Sequence, residues 1–193
     1  MREAQLLDIA AEQIARAGYA GLSIGTVASQ AGVSKPLVYA YFQTKDGLYI
    51  ACVERAASIL GEAIAAGAVG DGLQRAKETL RCLFTALEPR PIDWNVLFDR
   101  SHPAEGPAAD AARNARRRIA EQTREGVAAA FAGNPVADDP IQLAAMADIW
   151  MGAVSALVNR WLRHPELDAE LMVERSLALM DNLVRAAAGQ HRS

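Results

Sequence analysis

Apolar residues recur along most of the chain at the three-and-four spacing of a buried helical stripe, and strand-like alternation is scarce. Leu7, Ala10, Ala11 and Ile14 form one such stripe, which predicts a first helix from about Glu3 to Ala17, stopped by Gly18. Ser23 is a good N-cap for a short second helix ending near Ala31, after which Gly32 supplies the positive φ of a tight turn. A third helix follows Ser34, another N-cap candidate, and runs to about Phe42. Pro36 is tolerated in its first turn, where the missing N–H has no helical partner. Thr44 caps a fourth helix from about Lys45 to Ala66, closed by Gly67, Gly70 and Gly72. Five further segments are expected at roughly 72–87, 92–100, 108–132, 140–163 and 168–187, separated by loop chemistry such as Pro89 with Pro91 and His164 with Pro165. With 40 alanines in the chain, the pattern predicts an all-α protein. No internal repeat interrupts it. The expected division is an N-terminal three-helix unit over residues 1–50 and a helical bundle over 51–193, joined through the fourth helix.

A chain of 193 residues is long enough to bury a real core. Its net charge of −3 and pI near 5.6 argue against an indiscriminate coat of positive charge, so any nucleic-acid contact must be local. Cys52 and Cys82 lie far apart without a C-x-x-C or a His-rich partner, which excludes a disulfide scaffold, a zinc ribbon and a redox motif and fits a reducing cytoplasm. Glu3, Asp8 and Glu12 stand where a signal peptide needs an apolar stretch. The longest apolar run, Leu143 to Val158, carries Asp148 and is expected to be too short to span a bilayer, so no membrane partner is anticipated.

The stretch from Leu22 to Lys45 carries the chemistry. Two short helices meet at a glycine turn, with the small Ala28 where they approach and Val27, Val33 and Val38 pointing inward, which fits a helix-turn-helix. An ordinary αα-hairpin has the same spacing; charge separates the two. From Ile14 to Lys45 there is no Asp or Glu, while Arg16, Lys35 and Lys45 contribute three positive charges. The remainder of the chain is therefore negative by six, since the total is −3. A carboxylate-free surface is what phosphate contact requires. Thr26, Ser34, Lys35, Tyr39 and Tyr41 supply hydroxyl and ammonium donors suited to a duplex backbone. Lys45 begins a helix, where a cation opposes the macrodipole; a phosphate docked there reverses that cost.

Residues 6–53, with Ala17-Gly18-Tyr19, the A-G-V-S-K turn from Ala31 to Lys35, Tyr39 to Phe42 and Thr44-Lys45-Asp46, resemble the DNA-binding domain of TetR-family (tetracycline-repressor-like) transcriptional regulators. The resemblance implies a sequence-specific regulator, most often a ligand-responsive repressor, that binds a near-palindromic operator as a homodimer. It also implies DNA contacts by Thr26, Ser34, Lys35, Tyr39, Tyr41 and Lys45, with Phe42 and Leu48 in the core. Two positions depart from the family pattern: Gly25 replaces a long residue, and Ala40 stands where His, Arg or Asn is frequent, although Ala40 can still touch a thymine methyl.

Segment 140–163 is apolar on nearly every face, so partners are expected on every face, inside the subunit and in a second copy. The dimer candidates are Val154, Leu157, Trp161, Val173, Leu177, Met180 and Val184. Phe84, Trp94, Phe98, Met146, Trp150 and Met151 are candidate linings of a pocket for a small hydrophobic effector, with Asn95, Asn159 or Asp148 as orienting groups. Arg113, Arg116, Arg117 and Arg124 read as a solvated face paired with Glu121 and Glu125. No enzyme motif emerges: His102, His164 and His191 have no nucleophile or carboxylate partner at a recognisable spacing, and neither a cofactor-binding nor a metal-binding motif is found.

Overall fold

The computed structural model describes residues 2–164 and 166–189, with side chains described from Arg2 to Leu179 apart from Val136 and Pro165. Among the described residues there are nine α-helices and no strand, the expected all-α class. They are α1 (Arg2–Gly21), α2 (Ile24–Gln30), α3 (Lys35–Phe42), α4 (Lys45–Ala66), α5 (Gly72–Leu87), α6 (Ile92–Leu97), α7 (Pro107–Ala130), α8 (Pro140–Leu162) and α9 (Ala169–Gly189). A short 3-10 turn, Pro135–Asp138, precedes α8.

Two helix ends differ from expectation. Gly18 does break the helical backbone, at φ 64° and ψ −170°, but α1 resumes beyond it and reaches Gly21. Helix α6 stops at Leu97, where the Arg116 guanidinium takes the carbonyls of Leu97 at 3.3 Å and Asp99 at 2.9 Å; this satisfies C-terminal acceptors that a longer helix would have used internally.

The chain forms two compact units, Met1–Gly61 with Arg90–Glu121, and Glu62–Pro89 with Gln122–Ser193, so α4 and α7 each contribute to both. In the first unit α1 lies against α6 and α2, and α2 against α3. Its core includes the fully buried Leu6, Ala10, Val27, Val38, Leu48 and Leu97. Segment 90–121 is part of this unit. In the second unit α5 lies against α9, and α8 against α9 and the 3-10 turn. Phe84 of α5, fully buried, meets Trp161 of α8 edge-on at 5.3 Å between ring centroids.

Candidate nucleic-acid interface

The helix-turn-helix is built from local rules. Ser23 has extended backbone and its hydroxyl accepts the Thr26 N–H at 3.4 Å, which starts α2. Ala28 is 2% exposed, and its carbonyl accepts the Val33 N–H at 2.9 Å, closing the turn. Gly32 sits at φ 65° with nothing near the position a Cβ would occupy, so glycine is favoured here by backbone conformation and not by crowding. Val27 and Val38 are fully buried, whereas Val33 is half-buried. Ser34 departs from its expected capping role: α3 begins from its extended backbone with Pro36 in the first turn, and the exposed hydroxyl makes no cap bond.

Helix α3 buries Val38 and Phe42 and exposes the other six residues. At 100° per residue the line opposite the buried pair passes through Pro36 and Ala40, flanked by Leu37 and Tyr39. Tyr39 and Tyr41 are 48% and 43% exposed, and Thr26, Ser34 and Lys35 are exposed on the same connected segment. The structure thus brings five of the six expected DNA contacts onto one turn and its two helices. A Cβ on Gly25 would come within 2.9 Å of Lys35 Cε and 3.2 Å of Nζ, so the lysine occupies the space that a long side chain at position 25 would need.

The sixth, Lys45, is half-buried at the start of α4, where its ammonium lies 4.4 Å from the Tyr19 ring centroid and donates to the Ala20 carbonyl at 3.3 Å. Tyr19 in turn donates its hydroxyl to Asp46, and that bond pushes the phenol up to about 12. The Tyr19 N–H is shared between Ser101 Oγ at 2.6 Å and Asp99 Oδ2 at 3.3 Å. Asp99 also accepts the Tyr49 hydroxyl at 3.0 Å, and burial with this carboxylate raises the Tyr49 pKa. The end of α1 and the start of α4 are therefore fixed to the α6–α7 loop, an arrangement that sequence spacing does not reveal. Arg116 donates to His102 Nε2 at 3.3 Å, which leaves Nδ1 as the donor to the Pro103 carbonyl at 2.8 Å.

Between α3 and α4 the chain makes a strained turn. Gln43 has φ 61° and ψ −43°, and the Thr44 N–H reaches the Phe42 carbonyl at 2.6 Å, a γ-turn. Gln43→Gly is expected to stabilise the protein by about 1 kcal/mol, strain relief exceeding the extra unfolded-state freedom of glycine. Urea denaturation checks this; an unchanged or lower midpoint would show that the turn is unstrained.

The effector-pocket candidates divide between the units. Trp94 and Phe98 face each other at 4.4 Å in the first, while Phe84, Met146, Trp150 and Met151 belong to the second. Phe84 is core there, and Asn95, Asp148 and Asn159 are exposed, so they do not act as interior polar groups within their own units. A cavity of about 290 Å³ in the second unit is lined instead by Arg81, Thr85, Glu88, Asp168, Glu170 and Val173 among others.

Three dimer candidates prove to be interior. Val154, Trp161 and Val173 are at most 6% exposed, and the Trp161 Nε1–H donates to the Leu167 carbonyl at 2.7 Å, so their apolar surface is used within the subunit. Leu157 and Leu177 are half-buried; the side chains of Met180 and Val184 lie outside the described residues. The uncovered stripe of α8 is a different one, comprising Ile141, Ala145, Ile149, Gly152 and Ala156, with Asp148 and Asn159 on the same line. At 23 residues α8 is also longer than its apolar run suggests. It is the one helix among the described residues that is long and apolar enough to cross a membrane by length and composition. Of the four arginines, Arg117 pairs with Glu121 at 3.8 Å on an exposed face, as expected, whereas Arg116 is half-buried against α6.

Residues 6–52 match the family model of bacterial regulatory proteins, tetR family. Over 106 residues the chain is 29% identical to the HTH-type transcriptional activator FasR of Mycolicibacterium smegmatis, a stretch covering 54% of this chain and 48% of that protein. The match thus spans about half the length of the curated relative. Among solved structures, a TetR-like transcriptional regulator from Rhodococcus sp. RHA1 superposes with a TM-score of 0.73 at 22% identity, over 97% of this chain and 96% of that one. AibR in complex with isovaleryl coenzyme A and operator DNA gives 0.70 at 16% identity, over 93% and 97%. Residues 6–52 are thus similar to the N-terminal domain of tetR-family regulators, and the chain has the TetR-like fold along nearly its whole length.

Proposed function

We propose that this protein is a cytoplasmic transcriptional regulator that binds a near-palindromic DNA operator as a homodimer, represses from it, and leaves it when a small hydrophobic effector binds. The observation that carries the DNA reading is the exposed, carboxylate-free helix-turn-helix: Thr26, Ser34, Lys35, Tyr39 and Tyr41 are all exposed on it, and Lys45 follows at the start of α4. Such a surface attracts phosphates although the whole chain is acidic. In this reading residues 1–50 are the DNA-binding domain and 51–193 the effector and dimer domain.

The dimer is supported by α8, whose stripe from Ile141 to Ala156, small and branched residues with Asp148 among them, is left uncovered by its own subunit, with Leu179 of α9 51% exposed. A second copy covers that stripe, and two-fold symmetry then places two α3 helices on two half-sites. AibR supplies an effector class to test first, an acyl thioester of coenzyme A, in which the acyl chain is the small hydrophobic part and the coenzyme adds a polyanionic one. Effector and operator oppose each other reciprocally, and a tenfold loss of operator affinity needs about 1.4 kcal/mol of coupling.

The test is selection of duplexes from a randomised library, followed by anisotropy titrations with and without acyl-coenzyme A compounds, and sedimentation. Expected are enrichment of an inverted repeat, a species of twice the 20.6 kDa chain mass, and release of DNA by at least one acyl thioester. A 20.6 kDa species at micromolar concentration with no enriched sequence would sink the proposal.

A further inference from the structure

We propose that this protein selects its operator through the C5-methyl groups of thymines, touched by Leu37 and Ala40 of α3, and not through bidentate hydrogen bonds to guanine or adenine. The inference rests on the regulator reading and specifies the DNA that the same surface accepts.

Base pairs are distinguished in the major groove by two kinds of contact. Planar, forked side chains such as Arg, Asn and Gln hydrogen-bond purine edges, and apolar groups meet the thymine methyl. Helix α3 contains no Arg, Asn, Gln, Asp or Glu. Its outward line is Pro36 and Ala40, with Leu37 beside them 37% exposed, a cost in water that buries usefully only against another apolar surface. The single cation of α3, Lys35, is drawn back over Gly25 on the flank. On α2, Gln30 is engaged, its amide oxygen accepting from Gln13 at 3.1 Å, while the exposed Thr26 again offers a methyl with its hydroxyl. Gln43 is the other forked side chain nearby, and it lies past the end of α3 in the strained turn, away from the N-terminal turns through which a recognition helix meets base edges. Tyr39 and Tyr41, with hydroxyls at the ends of long rings, suit phosphate contacts on either side. The surface that faces a groove is therefore apolar at its centre and polar at its edges.

Deoxyuridine differs from thymidine only by that methyl, so it isolates the contact. In the duplex recovered from the randomised library, each thymine of the half-site is replaced in turn by deoxyuridine and affinity is measured by anisotropy. One or two positions per half-site are expected to lose about fourfold each, the worth of burying one carbon. Leu37→Ala is expected to bring the thymine-to-uracil ratio at one of them close to unity; a thermal melt verifies that the variant folds. Uniform tolerance of deoxyuridine, together with loss of binding when guanines are replaced by 7-deazaguanine, overturns the inference and leaves the regulator reading standing. Failure to enrich any sequence overturns both.

Discussion

Gly18→Ala is expected to destabilise the protein by about 3 kcal/mol or more. The backbone at φ 64° and ψ −170° lies in a region that side-chain-bearing residues scarcely occupy. An added Cβ would also overlap Ser101 Oγ and come within 2.6 Å of Ser101 Cβ. That hydroxyl accepts the Tyr19 N–H, so moving it aside removes a stabilising hydrogen bond as well. For a chain of this length the melting temperature should fall by about 6–12 °C. Because Tyr19 carries both the Lys45 ammonium and the Asp46 carboxylate, the partly refolded junction should also bind DNA less tightly well below its melting point. A Ser101→Gly background separates the two causes: it removes both Ser101 side-chain atoms that the new Cβ would meet and leaves the backbone cost. A melting temperature within a degree of the parent protein would refute the assignment of strain.

Gly18 also shows where sequence reading succeeds and where it stops. A glycine ending an apolar stripe is legible as a break, and so are the boundaries of α2, α3, α5 and α8, because caps, prolines and glycines act within a few residues. The hydrogen bonds of Tyr19 with Asp99 and Ser101, 80 and 82 positions away, leave no local trace. The same holds for Arg90, which binds Asp8 across 82 residues at 2.9 Å and Asp93 at 2.8 Å. Periodicity assigns Val154, Trp161 and Val173 to an apolar face correctly, yet it carries no information about whether that face meets the same subunit or another. The surface chemistry is legible because it depends on what is missing, the carboxylates between Ile14 and Lys45, and composition reports an absence directly. Ser34 reads as a cap and does occupy the N-cap position of α3, but without the side-chain bond, because Ser suits both bonded caps and exposed turns and only the geometry of its hydroxyl separates them.

Lys45→Ala should leave stability nearly unchanged and weaken DNA binding on the order of tenfold near 0.15 M salt, alike for operator and random duplex. On the folding side, removal of a cation from the first turn of α4 relieves an unfavourable interaction with the helix dipole worth a few tenths of a kcal/mol. The variant also forgoes the attraction to the Tyr19 ring and the bond to the Ala20 carbonyl, which offsets that gain. On the binding side, the dimer gives up two phosphate partners, one from each subunit, and the slope of log affinity against log salt should become shallower by about two. The ring and the carbonyl occupy one side of the ammonium and hold the long side chain in place, so the remaining N–H donors meet a phosphate with less conformational entropy left to lose. Lys45→Arg should therefore retain most of the affinity. Tyr19→Phe should keep the ring under the cation while freeing Asp46, whose carboxylate then lies unpaired near the phosphate, and should weaken binding by less than Lys45→Ala. Salt titrations of the four proteins decide the matter: an unchanged slope in Lys45→Ala would mean that this lysine serves only to join α4 to the end of α1.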